Sequence, residues 1–155
     1  MKEKAILIGV IGGGDYNPEI DRVAEEVGRG IARRGAVLIN GGLGGVMEAS
    51  ARGAKGEGGL TIGILPGISP REANPYIDIP IPTGLGDMRN FLIVRSAHSI
   101  IAINGGYGTL SELAIALKLG RPVIGIKTWE ISKDITVVAN AKEAVERAID
   151  AAKGL

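Results

Sequence analysis

The stretch SIIAINGGYGTLSELAIALKL, residues 99–119, decides the fold of this chain. It begins with an apolar, β-branched run that stops at Asn104, and three glycines lie within the next four positions. A helical spacing of apolar residues then starts at Thr109. This order predicts a strand, a glycine turn and a helix. Such a turn gathers free backbone N–H groups at the positive end of a helix dipole, so we expect it to bind a phosphorylated small molecule.

The same succession of strand, glycine turn and helix recurs along the chain. Apolar runs predict strands at residues 5–11, 36–39, 60–65, 76–81, 99–103, 122–127 and 135–138. Helices are predicted to begin at Pro18, Val46, Met88 (capped by Asp87) and Thr109, and after Asn140. Strands alternating with helices of about ten to fifteen residues indicate right-handed βαβ units. The predicted fold is therefore α/β, a single Rossmann-like domain of residues 1–155 with a three-layer, doubly wound and mostly parallel sheet.

Three of the glycine turns are expected to share one rim of this sheet. In a parallel sheet every strand-to-helix turn lies at the carboxyl edge, where ligands bind at the switch in strand order. Neither a G-x-G-x-x-G nor a P-loop motif is present, and Asn40 stands where a dinucleotide site carries an acid, so an NAD site is not indicated. The predicted binding glycines are Gly12, Gly13, Gly14, Gly41, Gly42, Gly44, Gly45, Gly105, Gly106 and Gly108.

Charge and composition limit the classes of partner. The chain has 18 Lys and Arg against 17 Asp and Glu, a net charge of +1, so no nucleic acid partner is expected. It contains no cysteine, and its single histidine, His98, is predicted to be a packing or hydrogen-bonding residue, so no metal site is expected. The apolar N-terminal run is too short for a signal sequence or a membrane span. We therefore expect a cytoplasmic protein with no membrane partner.

Two features of the sequence each allow two interpretations, and a third predicts self-association. Thr109 and Glu112 have the spacing of a capping box, which gives Glu112 a structural role beside a functional one. Trp129 follows the strand at 122–127 and is predicted either to edge the ligand pocket or to contact another subunit. The helix that begins at Met88 is apolar around much of its circumference, which predicts a homodimer or a homotetramer.

The segment from Asp87 to Glu112 resembles the nucleotide-binding core of the Lonely Guy (LOG) and molybdenum-cofactor-carrier-like superfamily, often labelled lysine decarboxylase-like. That superfamily pairs an M-x-x-R-K-like segment with P-G-G-x-G-T-x-x-E, which correspond here to DMRN at 87–90 and NGGYGTLSE at 104–112. The loop GGLGGVM at 41–47 is similar to the superfamily's G-G-G-x-x-G-L-M loop. No lysine of this chain lies in a recognisable pyridoxal phosphate setting, so a lysine decarboxylase is not expected.

The resemblance implies two functions. In LOG enzymes these residues bind a nucleoside 5′-monophosphate and hydrolyse its N-glycosidic bond, which would make Arg89 and Glu112 catalytic with no cofactor required. In the carrier-like branch, small proteins bind molybdenum cofactor or another phosphorylated pterin or nucleotide. Asn90 in place of lysine and Asn104 in place of proline are closer to the carrier branch, so binding of an AMP-like nucleotide or molybdenum cofactor is the leading expectation. Three further binding residues are implied, namely Met88, Tyr107 and Thr109.

Overall fold

The computed structural model describes residues 2–154 and contains a seven-stranded sheet. Its strands are β1 (Leu7–Gly12), β2 (Val37–Asn40), β3 (Thr61–Leu65), β4 (Ile79–Pro82), β5 (Ser99–Ile103), β6 (Val123–Ile126) and β7 (Ile135–Val137). They lie in the order β4-β3-β2-β1-β5-β6-β7, and every neighbouring pair is parallel. The predicted α/β, doubly wound fold is confirmed, and the sheet is parallel throughout rather than mostly parallel.

Five α-helices of the described chain cover the two faces of this sheet. They are α1 (Pro18–Arg33), α2 (Val46–Gly56), α3 (Asn90–Ser96), α4 (Tyr107–Lys118) and α5 (Ala141–Lys153). Helices α1, α2 and α5 pack on one face, with Val27, Ala49 and Ala148 in its core. Helices α3 and α4 pack on the other face, with Ile93 and Leu113 in its core. Among residues 2–154, no helix has the length and apolar character that crossing a bilayer requires.

The strand order changes direction between β1 and β5. The chain runs from β1 outward to β4, then returns to place β5 beside β1 and continues outward to β7. Gly12 ends β1 at this point, and a Cβ there would lie 2.5 Å from the carbonyl oxygen of Ile103 and 2.7 Å from Cγ2 of Val46. Glycine therefore allows β1, β5 and α2 to approach closely, and the turns after β1 and β5 come together.

Two helices begin at residues other than those expected. Asp87 does not cap a helix at Met88, because residues Gly86–Arg89 form a 3₁₀ turn and α3 begins after it. Helix α4 begins two residues before Thr109, and Gly106 occupies its N-cap position without a side-chain hydrogen bond. Thr109 is therefore not an N-cap, and the capping-box interpretation of the Thr109 and Glu112 spacing is wrong.

Strand β4 forms one edge of the sheet, as its Pro80 predicts. It begins at Ile79 rather than at Tyr76, because Tyr76 and Ile77 pack against the core beneath α1 and α2. Ile79 and Ile81 are exposed. The edge nearest to α3 therefore presents apolar side chains to solvent.

Candidate functional site

A cavity of about 330 Å³ opens at the carboxyl edge of the sheet, where β1 and β5 lie side by side. The turns after these two strands contribute to its wall, together with the segment that leads into α3. This is the place where the strand order changes, and parallel α/β sheets bind ligands there. Its lining residues are Val10, Ile11, Gly12, Gly13, Gly14, Asp15, Gly41, Met47, Asp87, Arg89, Asn90, Ile93, Gly106, Gly108, Thr109 and Glu112.

The cavity brings together only some of the site residues predicted from the sequence. Those that line it are Gly12, Gly13, Gly14, Gly41, Arg89, Gly106, Gly108, Thr109 and Glu112. Those that do not line it are Gly42, Gly44, Gly45, Met88, Gly105 and Tyr107. Met88 is 78% exposed and Tyr107 is 83% exposed, so both side chains lie at the surface.

Three of the predicted glycines that do not line the cavity shape the turns next to it. The N–H of Gly42 donates a hydrogen bond to Oδ1 of Asn40 at 2.8 Å, which fixes the turn after β2. Gly45 has a φ of +61°, and a Cβ there would lie 2.3 Å from the carbonyl oxygen of Gly13. Gly44 lies beside the same turn. Gly44 and Gly45 therefore allow the turn after β1 to approach the start of α2 closely.

Arg89 is a buried cation whose guanidinium is held at two positions. Its Nε donates a hydrogen bond to the carbonyl oxygen of Ile64 at 2.9 Å, and its Nη1 donates to Oδ1 of Asn90. A Cβ on Gly41 would lie 2.7 Å from Nη2, so the backbone of Gly41 lies close to the guanidinium. Burial lowers the pKa of Arg89, while the carboxyl group of Glu112 acts in the opposite direction. The site therefore contains a fixed positive charge.

Glu112 is a buried acid without a protein partner. It is 8% exposed and lines the cavity, and no residue of the described chain forms a hydrogen bond or an ion pair with its carboxyl group. Burial raises the pKa of Glu112 to about 8, and the charge of Arg89 lowers it only in part. The carboxyl group is therefore mostly protonated near neutral pH and has unused hydrogen-bonding capacity.

The N-terminus of α4 opens into the same cavity. Its N-cap residue, Gly106, provides no side chain, so the first N–H groups of the helix are free of a side-chain cap. Gly108 and Thr109, in the first turn of α4, line the cavity. The free N–H groups and the positive end of the helix dipole together favour an anion at this point.

An aromatic pair lies against the turn after β5. Nε1 of Trp129 donates hydrogen bonds to the carbonyl oxygens of Gly105 at 3.2 Å and Gly106 at 3.1 Å. The ring of Tyr107 stacks on that of Trp129, with centroids 6.2 Å apart and planes at 25°. Trp129 thus contacts the turn itself, although it does not line the cavity.

Several lining residues were missed by sequence reasoning. Asp15 directly follows the first glycine turn, and Met47 ends the glycine loop at 41–47, so their positions in these motifs could have indicated them. Asn90 lies in the DMRN motif at 87–90, but the motif does not predict its hydrogen bond with Arg89. Within residues 2–154, no group of three or more His, Cys, Asp or Glu side chains is arranged to hold a metal ion.

Residues 5–153 match the model of one protein family, described as the SLOG cluster4 family. The chain belongs to this family. It is similar to an uncharacterized protein of Archaeoglobus fulgidus, with 49% identity over 146 residues that cover 94% of this chain and 96% of that protein. It is also similar to a probable cytokinin riboside 5′-monophosphate phosphoribohydrolase of Oryza sativa, with 34% identity over 93 residues that cover 58% of this chain and 38% of that protein.

Solved structures of two proteins resemble this SLOG cluster4 chain over nearly its full length. The molybdenum cofactor binding protein of Rippkaea orientalis has a TM-score of 0.90 and 35% identity, covering 96% of this chain and 98% of that one. The molybdenum cofactor carrier protein of Chlamydomonas reinhardtii has a TM-score of 0.85 and 33% identity, covering 95% and 98%. These similarities confirm the resemblance noted in the sequence.

The two departures from the superfamily motif have physical consequences in this SLOG cluster4 chain. Asn104, which stands in place of proline, has a φ of +51°. Proline is restricted to a φ near −65°, so it cannot adopt this backbone conformation. Asn90, which stands in place of lysine, holds the guanidinium of Arg89. Asn90 therefore takes part in shaping the cavity wall, whereas Asn104 shapes the turn after β5.

Proposed function

We propose that this SLOG cluster4 protein binds a phosphate-bearing nucleotide or pterin cofactor and acts as a carrier of the molybdenum-cofactor type. One observation carries the proposal: the N-terminus of α4 and the glycine turn after β1 open onto one cavity of about 330 Å³. Similarity to the molybdenum cofactor binding protein of R. orientalis and to the carrier protein of C. reinhardtii supports it. The cofactor would be cargo, bound and released without a chemical step.

In this proposal the phosphate binds at the N-terminus of α4. The uncapped N–H groups beginning at Gly106 and the hydroxyl of Thr109 provide donors, and the helix dipole favours the negative charge. Arg89, which lines the same cavity, supplies a positive charge. Because Ile64 and Asn90 already hold its guanidinium, binding an anion costs little side-chain entropy.

The raised pKa of Glu112 favours binding over hydrolysis. A carboxyl group that stabilises an oxocarbenium ion must be ionised. Because burial raises the pKa of Glu112 to about 8, its protonated form predominates at pH 7. In a carrier the protonated form is useful, because it can both donate a hydrogen bond to the ligand and accept one from it.

A LOG-like phosphoribohydrolase is the second candidate function. The similarity to the rice protein supports it, and so does the presence of Arg89 and Glu112 on one cavity. Arg89 would anchor the phosphosugar. Glu112, once ionised, would stabilise the oxocarbenium ion and orient a water molecule. The oxygen of this water bonds to the sugar as the bond to the base breaks, and one of its protons passes to the departing base. The products would be free base and ribose 5-phosphate, with no cofactor required.

We further propose that the protein is cytoplasmic and forms a homodimer or a homotetramer. Exposed apolar side chains lie on the loop after β3, on β4, on the segment that leads into α3 and on α3 itself, which is more apolar surface than isolated exposed residues provide. They are Ile68, Ile79, Ile81, Leu85, Met88 and Phe91. A second copy of the chain covering this apolar surface would remove it from water.

Binding and turnover of AMP separate the two functions. The protein is incubated with AMP, and free adenine is measured by chromatography. A carrier releases no adenine, whereas a hydrolase releases adenine and loses this activity in Glu112→Ala. Loading with molybdenum cofactor, followed by fluorescence of the oxidised pterin in the isolated protein, tests the carrier directly.

Titration with ribose 5-phosphate tests the phosphate site that both functions share. Arg89→Ala is expected to weaken ribose 5-phosphate binding by tenfold or more, because it removes a charge-assisted contact. Arg95→Ala, an exposed arginine on the next helix, is the matched control and should bind as the wild type does. Unchanged binding in Arg89→Ala contradicts the proposed site.

A further inference from the structure

The stacked pair of Tyr107 and Trp129 has no role in the phosphate site described above. Tyr107 is 83% exposed, although aromatic rings are usually buried to a large extent. The chain is poor in such residues, with one tryptophan, three tyrosines and one phenylalanine. The exposed ring of Tyr107, beside a candidate ligand-binding turn, is therefore available for contact with a ligand.

Trp129 fixes this pair to the turn. Its indole N–H donates to the carbonyl oxygens of Gly105 and Gly106, so the indole ring is held against the outer side of the turn. Tyr107 lies in the chain between Gly106 and Gly108, which both line the cavity. The tyrosine ring has one face toward Trp129, and its high exposure leaves the other face accessible to solvent. The aromatic surface is thus ordered before any ligand arrives.

The cavity itself provides no comparable surface. Among its lining residues in the described chain, none is aromatic. A planar ring inside the cavity would meet glycine backbone, charged side chains and a few aliphatic groups. Outside the cavity, a planar ligand ring could instead stack on the open face of Tyr107. This residue lies directly beside the N–H groups that would bind a phosphate.

We infer that Tyr107, supported by Trp129, is the stacking surface for the planar fused heterocycle of the ligand, a purine or a pterin, whose phosphate binds at the N-terminus of α4. This inference rests on the proposed function. Tyr107 contacts the ring directly and contributes to specificity, because a phosphate ester without a ring gains nothing from it. Trp129 is a positioning residue that holds both the tyrosine and the carbonyl groups of the turn.

The test compares ligands with and without the ring in titration calorimetry. AMP and neopterin monophosphate carry a fused ring, whereas ribose 5-phosphate carries the phosphate alone. Tyr107→Ala is expected to weaken binding of the preferred ring-bearing ligand about tenfold and to leave ribose 5-phosphate unchanged. Tyr107→Phe, which keeps the ring, should restore the affinity.

Two further variants separate stacking from support of the turn. Trp129→Phe keeps an aromatic ring but removes the N–H donor, so it is expected to weaken ribose 5-phosphate and AMP by the same factor. Tyr16→Ala is the matched control, since Tyr16 is 80% exposed after the first glycine turn but is not stacked on Trp129. It should bind all three ligands as the wild type does.

Three other outcomes of these titrations would contradict either the inference or the proposed function, and they can be told apart. Equal losses for AMP and ribose 5-phosphate in Tyr107→Ala would overturn the inference, because they would mean that the tyrosine only supports the turn. A wild type that binds ribose 5-phosphate as tightly as both ring-bearing ligands would also overturn it, while the proposed phosphate site would stand. A wild type that binds none of the three would overturn the proposed function itself.

Discussion

Arg89 and Glu112 line the same cavity without forming an ion pair within 4.0 Å. The guanidinium instead donates to the carbonyl oxygen of Ile64 and to Asn90. Burial outweighs the attraction of Arg89 and raises the pKa of Glu112 to about 8. A ligand that enters the cavity would therefore lie between a cation and an acid that do not neutralise each other.

The raised pKa of Glu112 predicts a pH-dependent gain in stability for Glu112→Gln. As the pH rises above 4.5, the unfolded chain releases this proton, whereas the folded chain keeps it until about pH 8. Wild-type stability should therefore fall across this window relative to the variant. By pH 9 the difference in the free energy of unfolding should be on the order of 4 kcal/mol, measured by urea denaturation at several pH values. A difference that does not change between pH 5 and pH 9 contradicts this prediction.

A side chain at Gly12 is expected to separate the strands at the site. Gly12→Ala would place its Cβ 2.5 Å from the carbonyl oxygen of Ile103, so β1 and β5 must move apart. We expect a loss of about 2–4 kcal/mol in the free energy of unfolding and weaker ribose 5-phosphate binding. Gly56→Ala, where a Cβ would meet nothing within 4 Å, is the matched control and should keep or slightly raise stability. Equal effects of the two variants would contradict the close approach at Gly12.

Proline at position 104 should disrupt the turn after β5. Asn104 has a φ of +51°, and its N–H donates to the carbonyl oxygen of Ile126 at 3.1 Å. Asn104→Pro can neither adopt this backbone conformation nor donate this hydrogen bond, so it should lower the free energy of unfolding by about 3 kcal/mol or more. Asn104→Gly keeps both and should remain within about 1 kcal/mol of the wild type. Thermal and urea denaturation of the two variants measure the difference, and a proline variant as stable as the glycine variant would rule out this account of the turn.

The apolar surface around β4 and α3 should determine self-association. Ile81→Lys and Phe91→Lys introduce charges at exposed apolar positions, so we expect them to shift the oligomer toward monomer. Val137→Lys, on strand β7 at the opposite edge of the sheet, is the control and should leave the oligomer intact. Light scattering after size-exclusion chromatography gives the mass of each variant. A wild-type monomer at micromolar concentration would rule out the proposed interface.

The fold and the position of the cavity followed from local patterns in the sequence. The alternation of apolar runs and glycine turns was enough to place Gly12 and Gly106 at one edge of a parallel sheet, because parallel connections have few alternatives. The start of α4 was not predictable, since Thr109 has the spacing of a cap and only the backbone conformation of Gly106 shows that the helix begins earlier.

Specific side-chain contacts could not be predicted from the sequence. The hydrogen bond from Trp129 to the turn joins residues separated by more than twenty positions, and no periodicity encodes it. Asn90 is next to Arg89 in the chain, yet their hydrogen bond also depends on tertiary structure, because the 3₁₀ turn before α3 directs the guanidinium. Such contacts arise from tertiary packing, whereas the sequence pattern specifies strands, helices and the turns between them.

Trp129 is the single tryptophan of the chain, and its indole N–H is bonded to the turn after β5. Indole fluorescence responds to the hydrogen bonding and polarity around the ring, so the tryptophan emission of the unlabelled protein originates beside the turn after β5. A movement of the carbonyl groups of Gly105 or Gly106 would alter that emission directly. Trp129 therefore serves as an intrinsic fluorophore beside the proposed phosphate site, and ligand binding can be screened without a dye or a tag.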